Sequence, residues 1–228
     1  MQRFRFRPTV RYVDPFERWV PLLLKFCMYG FLGYLFYEAA TTFLEYTPLQ
    51  PWPGLLSTFR MFTFLPIHET GHLLFSFFGR TLHILGGSFW QVMFMVIWFG
   101  IAVYQRSQTA PVAAFFAGEN LMDVSLYIRD AEFRALPLLG GRSSEHDWYN
   151  LLSDWNALSS AGTIADIVYY SGFAICCFAL IGGCIFSIMV FLEPTRHPHY
   201  VDPLTARNNS VQDLLNKQIS EKEKKELM

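Results

Sequence analysis

The feature that most narrows what this chain can fold into is an apolar run from about residue 164 to residue 192. A membrane-spanning helix needs about 20 predominantly apolar residues, so this run can cross a bilayer with tilt. It has companions. A run over about 20–43 is interrupted only by Lys25 and Glu38, and others cover about 55–78, 88–104 and 110–128. Between the first two, Thr47 to Gly54 holds Pro48, Pro51 and Pro53, which cannot continue a helix. Charge agrees with this pattern. Only 16% of the 228 residues are charged, against about a quarter in a soluble domain, and those charges collect at the two ends and in one loop. The expected fold is all-α, a polytopic integral membrane helical bundle of about 4–5 transmembrane helices.

This divides the chain into a basic N-terminal segment (1–19), a transmembrane domain (20–192) with a polar loop at 129–162, and a polar C-terminal tail (193–228). Arg3, Arg5, Arg7, Arg11 and Arg18 should hold the first segment in the cytoplasm. No small-residue cleavage site follows them, so the first apolar run reads as an anchor. Five spans would put the tail outside, although it carries Lys217, Lys222, Lys224 and Lys225, and the side of the tail stays open at this point. A net charge of −1, with no basic stripe beyond the termini, gives no support for nucleic-acid binding. Cys27, Cys176, Cys177 and Cys184 lie inside apolar runs without Cys-x-x-Cys spacing and read as packing residues.

One apolar run carries chemistry. His68 and His72 are four residues apart in His68-Glu69-Thr70-Gly71-His72, so on a helix they share a face. Two imidazoles one turn apart can hold a single Zn²⁺ at about 2.0–2.1 Å each. Glu69, beside the first histidine, is placed to take a proton from water at the metal. The flanks, Phe62 to Ile67 and Leu73 to Phe78, are almost wholly apolar. Ionisable groups inside a span cost about 2.5–3.5 kcal/mol each, and a metal with a water pocket removes that difficulty.

The pentapeptide, followed by Gly79 and by an expected small-residue turn at Leu85-Gly86-Gly87 ahead of another apolar run, resembles the site-2 protease class of intramembrane zinc metalloproteases over about residues 60–130. The resemblance implies His68 and His72 as zinc ligands and Glu69 as general base. That class takes its third ligand from an aspartate on a later span. Asp123 is the expected third ligand on that ground, about 50 residues after His72. Glu119 is the alternative, because Glu119-x-x-x-Asp123 also looks like the second motif of thermolysin-like zincins and of membrane prenyl-protein proteases. There the glutamate binds zinc and the aspartate orients a histidine. Spacings of three and four put Glu119, Asn120, Asp123, Tyr127 and Asp130 along one stripe.

His146, next to Asp147 in the polar loop, is a further candidate, either as an oxyanion donor in catalysis or as a metal ligand. Tyr127 is placed either to donate to an oxyanion or to anchor at a membrane boundary. His83, His197 and His199 have no partner spacing. The expected function is hydrolysis of peptide bonds by a membrane-embedded zinc metalloprotease. Its partners would be the lipid bilayer and a transmembrane or membrane-associated polypeptide substrate. A non-proteolytic membrane zinc hydrolase, or a scaffold or binding subunit that keeps a metal site without turnover, are the competing readings.

Overall fold

A computed structural model describes residues 19–44, 54–136 and 146–192, and all of their regular structure is helical. The helices are α1 (Trp19–Leu44), α2 (Gly54–Phe59), α3 (Leu65–Phe75), α4 (Arg80–Tyr104), α5 (Ala110–Arg129), α6 (Asp147–Asp154) and α7 (Ala161–Leu192). The basic segment before Trp19, the tail from residue 193 and residues 137–145 of the polar loop lie outside the described residues.

Three stretches, Trp19–Phe43, Arg80–Tyr104 and Leu158–Leu192, are helices long and apolar enough to cross a membrane. Their outward faces are apolar: Phe178, Ile181 and Ile185 of α7 and Leu23 and Leu24 of α1 are all exposed. In water such continuous apolar surface would be covered by something. The least apolar long helix sits inside. α5 buries Glu119, Asn120 and Ser125 together with Phe115, Met122 and Ile128. It packs against α4 and α1, and a Cβ on Gly118 would come within 2.7 Å of Cys176 Sγ in α7. The four cysteines are free, and the Cys176 thiol meets the Phe115 carbonyl at 3.5 Å.

The run expected at 55–78 is helical but subdivided. α2 passes into a π-helical turn, Arg60–Phe64, then α3, then a 3-10 turn, Ser76–Phe78. The cause is Pro66 near the start of α3. A proline has no N–H and its ring crowds the carbonyl four residues back. The widened π turn, closed by the Leu65 N–H on the Arg60 carbonyl, takes up that mismatch. α3 alone is about 16 Å long, roughly half a bilayer core.

Gly79, at φ +90°, turns the chain into α4. The expected small-residue turn at Leu85-Gly86-Gly87 is instead part of α4, which starts at Arg80 rather than Ser88. A glycine inside a helix costs about 1 kcal/mol relative to alanine, and here close approach requires it. A Cβ on Gly71 would run into the Gly86 carbonyl, and one on Gly86 would lie 2.7 Å from the Phe75 Cβ. α3 and α4 therefore cross backbone on backbone.

Side-chain contacts give the direction of each long helix. The Trp19 and Phe191 rings meet at 4.6 Å between centroids, so α1 starts where α7 ends. Lys25 bonds to Gln108 in the α4–α5 turn, at that same end. At the opposite end Phe43 stacks on Tyr169 at 3.7 Å, and the Arg129 guanidinium lies 4.4 Å from the Phe43 ring. Arg80, opening α4, pairs there with Asp154 of α6 at 3.1 Å. α1 and α5 thus run one way and α4 and α7 the other.

Candidate metal centre

The close crossing of α3 on α4 sets the site. His68 and His72 project from α3 toward α4, with their Nε2 atoms 3.1 Å apart. The His72 Nδ1 faces the His83 backbone carbonyl at 2.8 Å, and a carbonyl can only accept, so that nitrogen carries the proton. The His68 Nδ1 faces Gln91 Oε1 at 3.1 Å. The Gln91 amide is oriented in turn by its Nε2–H, which donates to Asp123 Oδ2 at 2.8 Å. Both rings are therefore held with Nε2 and its lone pair pointing at one spot.

A carboxylate meets them there. Asp147 Oδ2, at the first position of α6, lies 3.1 Å from His68 Nε2 and 3.2 Å from His72 Nε2. Three acceptors converging this closely repel one another unless a positive charge lies between them. Tetrahedral coordination at 2.0–2.1 Å would separate ligand atoms by about 3.3 Å, and the observed triangle is close to that. His68, His72 and Asp147 are the one such group of three among the described residues. Gly87 supplies a further test of fit. A Cβ there would lie 2.5 Å from His68 Nε2 and 2.6 Å from His72 Nε2, so the missing side chain leaves the space beside both nitrogens clear. The donor set, two imidazoles and a carboxylate with no fourth protein ligand among the described residues, suits a divalent metal.

Asp147 is held by its neighbours. The Tyr127 hydroxyl accepts from the Asp147 backbone N–H at 3.0 Å and donates to its carboxylate at 3.3 Å. Trp148 Nε1–H donates to Ser88 Oγ of α4 at 3.0 Å, docking the start of α6. Burial alone would raise the Asp147 carboxyl, but in the metal-free site protonated imidazoles donate to it, outweigh burial and hold it down at about 2.

The acids expected on α5 lie elsewhere. Asp123, the expected third ligand, accepts from Arg60 Nε at 2.6 Å and from Gln91, and does not reach the imidazole pair directly. It orients a ligand from one residue further out, as second-layer carboxylates do. Glu119 is 2% exposed one turn earlier on α5, and its Oε2 has no hydrogen-bond partner among the described residues. It is not in the cluster either. His146 is not free for catalysis or for metal. Its Nδ1 accepts the Tyr149 N–H at 3.2 Å as the cap of α6, and its Nε2 meets Asp130 Oδ2 at 3.1 Å. Asp130 also accepts the Ala135 and Leu136 N–H groups at 3.0 Å each, tying down the loop that follows α5. Tyr127 bonds to Asp147, which accounts for its hydroxyl.

Glu69 follows His68 on the exposed side of α3, close enough for its charge to act on the His72 ring. The residue that sequence reasoning passed over is Asp147. The signal was present as an acid beside a histidine in an otherwise ordinary polar loop, but nothing in the spacing linked that loop to α3. No protein-family model matches this chain, and neither the curated proteins nor the solved structures give a match.

Proposed function

We propose that the chain is a polytopic membrane zinc metallopeptidase that cleaves membrane-associated polypeptides, with His68, His72 and Asp147 as metal ligands and Glu69 as general base. The observation that carries this reading is the convergence of three lone-pair donors within 3.2 Å of one another, beside a carboxylate on the same helix. A divalent ion bound there supplies Lewis acidity, which makes water acidic enough to be deprotonated near neutrality and polarises a carbonyl.

The chain's own groups do the rest. Glu69 accepts the proton from the attacking water and returns it to the leaving amine. Gly87 leaves the room the ion needs. Tyr127 and Trp148 hold Asp147 in place, and His83 and Gln91 keep both imidazoles in the tautomer that presents Nε2. The apolar exterior of α1, α4 and α7 supports a substrate that arrives through the bilayer. Zinc is favoured over harder ions by the two imidazoles.

The test uses the purified full-length chain in lipid nanodiscs. It should contain one zinc per chain and cut a panel of single-span polypeptides, and Glu69→Gln should abolish cleavage while zinc stays bound. Cleavage that survives Glu69→Gln, or that proceeds in metal-stripped protein, would overturn the assignment.

A further inference from the structure

We infer that the metal centre opens at the membrane face opposite both ends of the helical bundle's chain, on the non-cytoplasmic side. Its substrates would then be polypeptides whose scissile segment lies at the non-cytoplasmic boundary of the bilayer. The side of the centre follows from the helix directions and the distribution of basic residues; the substrate clause rests on the proteolytic reading above.

α1 ends beside Tyr169 and Arg129, at the end of the bundle that carries α6. α4 begins at that same end, where Arg80 meets Asp154. Between Leu44 and Arg80 the chain therefore leaves one end and comes back to it, although an apolar stretch lies in between. Phe59 marks the depth of that excursion. Its ring packs 6.3 Å from Phe31, in the middle of α1, and 6.1 Å from Phe116, in the first half of α5. From there the backbone climbs through the π turn and α3, passing the metal ligands, to Gly79. Irregular and broken helices of this kind are tolerated at membrane depth where protein covers them or they line a cavity. Residues 54–78 thus form the rising arm of a re-entrant excursion and do not make a net crossing.

That leaves four crossings, α1, α4, α5 and α7, with Trp19, the α4–α5 turn and Phe191 at one end. The count reconciles the basic residues. Of 18 Lys and Arg, Arg80, Arg129 and Arg134 lie at the end with α6, Arg142 falls between α5 and α6 in sequence, and Arg60 lies inside. Arg129 and Arg80 there are ion-paired with Asp166 and Asp154. All the others, from Arg3 to Lys225, fall in the N-terminal segment, at the start of α1, in the α4–α5 turn or after α7. Basic residues near span ends stay in the cytoplasm, so the end bearing Trp19 and Phe191 is cytoplasmic. Five crossings would divide the basic N-terminal segment from the basic tail; four put them together. His68, His72 and Asp147, grouped near the start of α4, the end of α5 and the start of α6, then belong to the other face.

The test is a side assay on the full chain made in sealed, glycosylation-competent microsomes with an epitope tag at each terminus. Protease added outside, on the cytoplasmic side, should remove both tags. Gly141→Asn creates the acceptor Asn-Arg-Ser in the polar loop and should add one endoglycosidase-sensitive glycan, whereas the native acceptor Asn208-Asn209-Ser210 should add none. Removal of one tag with protection of the other would overturn the four-crossing count. Protection of both, or a glycan at Asn208, would overturn the assigned side. Single-span substrates with the scissile segment moved from one boundary to the other read the second clause, and only the non-cytoplasmic version should be cut. A chain with the inferred topology that cuts neither version would refute the proteolytic reading and leave the side of the centre standing.

Discussion

Two successive turns of α5 meet the same problem, ionisable groups inside an apolar bundle, and solve it differently. In the turn holding Asp123 and Tyr127 each polar group has a partner: Arg60 and Gln91 for the carboxylate, Asp147 for the hydroxyl. One turn earlier, Glu119 Oε2 and Asn120 Oδ1 are buried without any hydrogen-bond partner among the described residues. In sequence both turns carry an acid and a second polar side chain on one stripe of the helix. The difference comes from what α3, α4 and the polar loop bring to one of them. Sharing a helix face with a site does not make a residue part of it, and the His68–His72–Asp147 cluster is built where α3, α4 and α6 converge on α5.

That contrast can be broken most sharply at Gly87. Alanine in place of a helical glycine ordinarily stabilises a helix by about 1 kcal/mol. At this position its methyl carbon would sit within 2.6 Å of both imidazole nitrogens. Gly87→Ala should therefore abolish stoichiometric zinc binding while helical content is kept, the gain in helix propensity being offset by the crowding of the two rings, as read by metal analysis beside circular dichroism. Zinc binding at the wild-type level would show that the ion is not held where the lone pairs point.

The next effect in size concerns the partnered turn. Gln91→Leu removes the acceptor that fixes the His68 tautomer, and outer-layer changes of this kind cost about 10–100-fold in metal affinity. Exchanging the groups, Gln91→Glu together with Asp123→Asn, keeps the net charge and an acceptor for His68 Nδ1–H, and reverses the bond between positions 91 and 123 so that the amide at 123 donates. Competition with a chelator should find affinity restored to within a few-fold of wild type. A swap that folds but stays as weak as Gln91→Leu would mean that Gln91 acts through packing alone.

Acid should release the metal, since protons compete for the imidazole nitrogens. Asp147, held at about 2, stays ionised long after the imidazoles are protonated. The acid limb of log affinity against pH should thus approach a slope of about 2, one proton per histidine; a slope near 3 would mean that the carboxylate titrates too. The sign for folding follows the same value. The folded carboxyl lies below its ordinary value of about 3.9, so its stabilising contribution is complete above about pH 4 and disappears as the pH falls through about 2.

The smallest effect belongs to the unpartnered turn. An ionised carboxylate with a lone buried oxygen is strongly disfavoured in an apolar bundle, so the neutral amide should be as well accommodated. Glu119→Gln should change stability by about 1 kcal/mol or less and leave zinc affinity unchanged; a loss of tenfold or more would bring Glu119 back toward the metal.

How much of this was legible beforehand differs by feature. The long apolar runs announced α1, α5 and α7 nearly to the residue, because length and composition are local properties. Gly86-Gly87 reads as a turn in sequence, since only the facing Gly71 backbone makes glycine necessary inside α4. His68 and His72 were visible from their spacing within one helix. Asp147 was not. It reaches them through the His146 cap, the Tyr127 clamp and the Trp148–Ser88 bond, none of which has a periodic signature. Asp123 was found for a sound reason and placed one layer too close.

The account stands or falls most directly on the zinc affinity of Asp147→Ala beside Asp123→Ala, measured on purified chains with a chelator of known affinity. Asp147→Ala should lose stoichiometric zinc, because only two protein ligands remain, while Asp123→Ala should keep one zinc per chain, bound about 10–100-fold more weakly. The reverse order, with Asp147→Ala binding as wild type and Asp123→Ala empty, would contradict the centre described here.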